Sequence, residues 1–97
     1  MSGKGVGPYE CEGVLVEIGE RVGLSDGRVR QYFVVQVETD LLLMEAYDEV
    51  GEAVRQIGAG AWVKVRFVIR GWRWYPPERE ARYLLRLVAL SVELASP

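Results

Sequence analysis

Apolar positions in the chain recur with two different spacings. Val14, Val16 and Ile18 stand at period two in CEGVLVEIGERV (residues 11–22), with Glu17 and Glu20 interrupting, which predicts a strand with one buried face. GLSDG, residues 23–27, is turn chemistry, because Asp-Gly readily supplies positive φ. Alternation resumes over residues 29–38, with Val29, Phe33, Val35 and Val37 on one face and Arg30, Tyr32, Val34, Gln36 and Glu38 on the other. Residues 41–47 form a third short strand. In DEVGEAVRQI, residues 48–57, the apolar set Val50, Ala53, Val54 and Ile57 changes to helical spacing. Asp48 is placed to cap that helix, Gly51 weakens it by about 1 kcal/mol relative to alanine, and Gly58 stops it. Period two returns over residues 61–71, where Ala61, Val63, Val65, Phe67 and Ile69 oppose Trp62, Lys64, Arg66, Val68 and Arg70. Residues 82–94 complete the pattern as a strand that is apolar on both faces from Leu84 to Leu90. That pattern implies a cover on each side, core on one and a partner subunit on the other.

The order is thus strand, strand, strand, helix, strand, strand. It predicts an all-β fold with one short helix, a five-stranded Greek-key OB-fold barrel, with an SH3-like barrel as the alternative that normally lacks a full helix at that place. Ninety-seven residues suit one domain, taken as residues 10–95 behind a flexible lead-in at 1–9.

Composition narrows the function. A hydrophobic share of 49% with 27% charged residues fits a folded globular chain rather than a disordered one. No apolar run approaches the roughly 20 residues of a membrane span, and MSGKGVGPYE lacks the core of a signal peptide. The lone Cys11 has no partner for an internal disulfide, so the cytoplasm is the expected compartment. With no histidine and no phosphate-binding loop, an enzyme is not expected, and no cofactor or metal is implied. The scarcity of lysine, asparagine and threonine fits a thermophile or a GC-rich genome.

Charge changes the picture once it is divided. The net charge is −2, yet residues 1–60 carry −6 and residues 61–97 carry +4. Local field governs partner binding more than the total does. An OB barrel binds on the outer face of its second and third strands, between the loops joining strands 1 and 2 and strands 4 and 5. Here the first loop ends at Arg28, and the face carries Arg30, Tyr32, Gln36 and Tyr47. The second loop, residues 71–81, contains Trp72, Arg73, Trp74, Tyr75 and Arg79 around Pro76-Pro77. Single-stranded nucleic acid requires cations that follow phosphates and aromatic planes for base stacking. Trp72, Trp74, Tyr75, Tyr32 and Tyr47 are candidate planes. Arg28, Arg30, Arg70, Arg73 and Arg79 are candidate cations, and Lys64 and Arg66 extend the basic stripe along the fourth strand. Each feature also has a plain structural reading. Trp62 and Trp72 can close barrel ends, Trp74 and Tyr75 can anchor a loop, and PEREAR can be a solvated ion-paired tip. Tyr32 and Tyr47 are common β-formers, Glu45 and its acidic neighbours read as strand-end solvation and helix capping, and Cys11 reads as a small strand residue.

EGVLVEIGERVGLSDGRVRQYFVVQVETD, followed by a short helix and by VKVRFVIRGWRWY and YLLRLVALSVE, resembles an uncharacterised family of short bacterial OB-fold proteins. That family is itself similar to single-stranded-DNA-binding and primosomal OB proteins. The matching positions include Gly13, Ile18-Gly19-Glu20, Ser25, Gly27, Phe33-Val34-Val35, Glu38-Thr39, Val63, Val65, Phe67, Ile69-Arg70-Gly71, Trp74 and Tyr83, across about residues 10–94. The chain departs from the family at Ala46-Tyr47-Asp48, where an aromatic WGD-like strand end is usual, and in the added residues 75–80 of the last loop. The resemblance implies the OB fold more than an activity. The aromatic and cationic residues predict sequence-tolerant binding of single-stranded DNA, with RNA as the related ligand, and the doubly apolar last strand predicts a homodimer or higher homo-oligomer. The other expectation is a protein-interaction or oligomerisation module that binds no nucleic acid.

Overall fold

Alternation in the second predicted strand translates directly into burial. Phe33 and Val35 are completely enclosed, while Arg30, Tyr32 and Val34 between them face outward. A computed structural model describes residues 5–78 and 80–97. Its elements are β1 (Val6–Gly23), β2 (Val29–Val37), β3 (Asp40–Tyr47), α1 (Asp48–Ile57), β4 (Trp62–Trp74) and β5 (Arg82–Leu94). The strands close into a barrel in the order β1-β2-β3-β5-β4. All pairings are antiparallel except β3 with β5, which are parallel and meet only where Met44 lies beside Leu87 and Glu45 beside Val88. No helix among the described residues is long and apolar enough to cross a membrane.

β1 serves two neighbours. Its first half pairs with β4 and its second half with β2, and Val14 takes part in both ladders. The predicted inward set Val14, Val16 and Ile18 is therefore only partly right. Gly13 and Leu15 face the core, and Val16 is 39% exposed. A register shift between Leu15 and Glu17 then brings Ile18 back beside Phe33. The extra residue bends the strand, as β-bulges do. Gly13 permits the crossing, since a Cβ there would fall on the Gln36 carbonyl. The strand also starts earlier than expected: Val6 pairs with Ile69 and Tyr9 with Phe67, inside the stretch read as lead-in. The Tyr9 and Phe67 ring centroids are 5.9 Å apart.

α1 spans the predicted residues, and Val50, Val54 and Ile57 join the core around Leu15, Phe33, Met44, Val63 and Val65. Its cap differs from expectation. Tyr47 is the N-cap and makes no side-chain cap bond, while Asp48, at φ 51°, accepts the Val29 backbone N–H at 3.0 Å. Asp48 thus ties the start of β2 to the start of the helix. Gly58, at φ 84°, ends α1 as predicted and donates its N–H to Val54.

Gln31 occupies a core-facing position and is 1% exposed. Its amide donates to the carbonyls of Gly19 (2.8 Å) and Tyr32 (2.9 Å), and its oxygen accepts from Arg55 at 3.5 Å. These bonds offset the cost of burying an amide.

The largest difference from the sequence reading lies at the last connection. Residues 71–81 were expected to be loop, yet β4 runs on to Trp74 and β5 begins at Arg82. Past Ile69 and Leu87, which pack on the core, the two strands continue as a paired arm. In it Arg70 opposes Arg86, Gly71 opposes Leu85, Trp72 opposes Leu84, Arg73 opposes Tyr83 and Trp74 opposes Arg82. The final strand does not have both faces covered within the chain, since Leu84, Leu85 and Leu90 are exposed.

Candidate functional site

Strand register assembles the site. Antiparallel pairing sets Arg30 opposite Tyr47 and Tyr32 opposite Glu45, all on the outer face of β2 and β3. Directly opposed residues on one face lie within side-chain contact distance. The parallel contact of β3 with β5 then brings Arg86 beside Glu45, and the β4–β5 ladder adds Arg70 and Trp72.

The turn before β2 is held by Asp26. Its carboxylate accepts the Arg28 backbone N–H at 3.0 Å and pairs with the Arg28 guanidinium at 2.8 Å. Those two hydrogen bonds, the backbone one first, keep the Asp26 carboxyl below its ordinary pKa. The Arg28 guanidinium reaches the Tyr47 ring, 4.8 Å from its centroid. Tyr47 donates its hydroxyl to Glu45 at 2.6 Å, and Arg86 approaches the same carboxylate oxygen at 3.6 Å. Burial, reinforced by the bond to Glu45, raises the Tyr47 hydroxyl above its ordinary pKa. Arg86 in turn lies over Trp72 at 4.9 Å, and Arg30 lies over Tyr32 at 5.0 Å. Guanidinium groups over aromatic faces are attracted by the ring quadrupole.

The result is a continuous path of contacts from the β1–β2 turn to the β4–β5 arm: Arg28, Tyr47, Glu45, Arg86, Trp72. It follows a groove of about 430 Å³ that Arg70 and Val88 also line. Six of the predicted residues gather on this outer face: Arg28, Arg30, Tyr32, Tyr47, Arg70 and Trp72.

The others do not. Lys64 stands between Glu12 and Glu93 on its neighbouring strands, and Arg66 between Glu10 and Ser91. Neither lines the groove, and the carboxylates beside them weaken their field. Arg73, Trp74 and Tyr75 are exposed on the arm beyond the groove, with Arg73 4.9 Å from the Tyr75 centroid. Arg79 falls outside the described residues. Trp62 is half-buried and donates its indole N–H to Glu12 at 3.3 Å.

Two groove residues escaped the sequence reading. Glu45 was assigned to solvation, yet it is 3% exposed and held by two partners. Arg86 was overlooked within YLLRLV. The available signal was a charge set in an otherwise apolar strand, once in LLLMEAY and once in YLLRLV. Compared with known families and curated proteins, the chain matches no family model and no curated sequence.

Proposed function

We propose that this protein binds single-stranded nucleic acid, single-stranded DNA foremost, along the outer face of β2 and β3 and the groove that continues to the arm. The observation that carries the reading is the set of three arginine–aromatic pairs on one outer face, Arg28 on Tyr47, Arg30 on Tyr32 and Arg86 on Trp72. Cations beside aromatic planes are what a phosphate backbone with unstacked bases requires, and each stacked base contributes about 1–3 kcal/mol by alanine substitution. The strand order, with a helix between β3 and β4, supports an OB-fold reading of the barrel. In that fold this strand face and these two connections form the oligonucleotide site. The resemblance to short bacterial OB-fold proteins points the same way. Contacts to phosphates and π faces tolerate any base sequence, and the same contacts extend to RNA.

Titration with oligo-dT tests this by tryptophan fluorescence. Quenching is expected, and Trp72→Ala should weaken binding by about 1–3 kcal/mol. Lys64→Ala and Arg66→Ala should each remain within about twofold of wild type, since neither residue lines the groove. Unchanged fluorescence at low salt with saturating oligonucleotide would sink the proposal. A parallel titration with oligo-U compares RNA.

A second reading, a homo-oligomeric or protein-binding module, draws on Leu41 and Leu43, which stand exposed on the outer face of β3 beyond Glu45. Leu90 and Leu94 add to it on β5. A stable dimer in light scattering, with no oligonucleotide binding, would favour that reading over the first.

A further inference from the structure

The β4–β5 arm has a second face that the groove does not use. In an antiparallel pair, opposed residues share a face and successive pairs alternate. The pairs Arg70–Arg86 and Trp72–Leu84 therefore face the groove, and the pairs Gly71–Leu85 and Arg73–Tyr83 face the other way. This reverse face continues the inward frame of the barrel, on which Ile69 and Leu87 pack against the core. Past the barrel rim the frame emerges into solvent with Leu85 and Tyr83 still apolar beside Arg73. Tyr83 is 75% exposed and Leu85 76%. Gly71 leaves Leu85 lying flat across the arm, since a Cβ there would come within 3.0 Å of the leucine side chain. Tyr75, with Arg73 over its ring, adds a further arginine–aromatic pair.

Charge selects the occupant. Residues 70–77 and 81–92 contain no aspartate or glutamate, while Arg70, Arg73, Arg82 and Arg86 all lie within them. A second copy docking arm to arm would set arginines against arginines. A polyanion with planar groups meets arginines on both faces, with Glu45 held by Arg86 in the groove and Glu78 and Glu80 confined to the connection between the strands. Five residue pairs beyond the rim make the arm about 16 Å long, comparable to four or five nucleotide steps of about 3.4 Å each.

We infer that the arm stands between two nucleic-acid strands and that the protein recognises the junction where a duplex opens into single strands. This rests on the nucleic-acid reading above. One strand follows the groove past Trp72, and the other follows the reverse face, where Tyr83 and Tyr75 supply planes and Arg73 meets phosphates. Leu85 abuts the last base pair as an apolar wedge, as leucine side chains do when they unstack base steps.

Fluorescence anisotropy with three DNA probes tests the inference: a single strand, a blunt duplex, and a fork whose unpaired arm has the single strand's sequence. Wild type should bind the fork about tenfold more tightly than the single strand, the gain expected from one more stacked base. In the double variant Tyr83→Ala/Leu85→Ser that preference should vanish, while single-strand affinity stays within about twofold of wild type. Both side chains are exposed, and an unchanged thermal melt by circular dichroism confirms that the variant folds. Equal wild-type affinity for fork and single strand overturns the inference and leaves the single-strand reading intact. A fork preference that survives the double variant also overturns it. Loss of a dimer in the double variant with no change in fork affinity would assign the face to self-association instead. Failure of wild type to bind any probe sinks the nucleic-acid reading itself.

Discussion

Glu45 is a carboxylate in a groove proposed for a polyanion, and its surroundings explain why it is there. It holds Tyr47 at 2.6 Å and Arg86 at 3.6 Å, so it fixes one plane and the cation that covers another. Tyr47 has a measurable consequence. Its hydroxyl is raised above the ordinary value of 10.0 by burial first and by the bond to Glu45 second. The folded state therefore holds that proton more tightly than the unfolded chain does. The stabilisation is fully present below pH about 10 and is lost as pH rises through the folded-state value. Denaturant unfolding followed from neutral to alkaline pH should show this decline. Tyr47→Phe should lack that part of it and be less stable at neutral pH by about 1 kcal/mol, the contribution of one hydrogen bond. An identical alkaline profile in the variant would remove Tyr47 as its source. The sequence does not disclose the arrangement, because Arg86 meets Glu45 only through the parallel contact of β3 with β5, between residues far apart in the chain.

Among the elements, α1 shows how packing reverses a propensity argument. Gly51 reads from sequence as a weak point that alanine would improve by about 1 kcal/mol. In the fold its missing side chain makes room for Gln31. An added Cβ would lie 2.9 Å from the Gln31 Cβ and 3.3 Å from the Ala46 carbonyl oxygen. Gly51→Ala should therefore destabilise the protein, by about 1–3 kcal/mol as for other overpacked sites. Urea denaturation would show it, and a stabilised variant would mean that Gln31 yields freely. The pattern was legible where one period ran uninterrupted, as in the buried Phe33 and Val35 of β2 and in the span of α1. It misled in β1, where the bulge after Leu15 resets the inward frame and a glycine contact decides which face turns in. It was cut short in β4: Trp72 and Trp74 keep the period-two spacing past Gly71, but Gly71 and Pro76-Pro77 suggested an earlier end. Six predicted site residues came together because they flank two connections that the strand order fixes. Lys64 and Arg66 did not, because their cross-strand neighbours are set by a register that no single strand discloses.

For the molecule as a whole, a net charge of −2 is compatible with polyanion binding only if acidic groups stand clear of the groove or are paired within it. Glu10, Glu12, Glu17 and Glu20 stand clear, exposed along β1 with Glu12 facing Lys64, whereas Asp26 and Glu45 stand on the arginine path, paired with Arg28 and Arg86. What the ligand meets is the local field of Arg28, Arg30, Arg70 and Arg86. Counterion release converts that count into an observable. Single strands contribute about 0.7 to the salt slope for each neutralised phosphate. Arg28 and Arg86 already pair with Asp26 and Glu45, so Arg30 and Arg70 give a slope of log K against log salt of about −1.4. Arg70→Ala, which removes a cation with no carboxylate opposite it on β5, should flatten the slope by about 0.7. Lys64→Ala should leave the slope unchanged, because that cation lies between carboxylates away from the groove. Affinity measured over a range of salt with the three proteins separates the cases. A slope that flattens for Lys64→Ala and not for Arg70→Ala would move the binding path to the opposite side of the barrel, onto the face shared by β1 and β4.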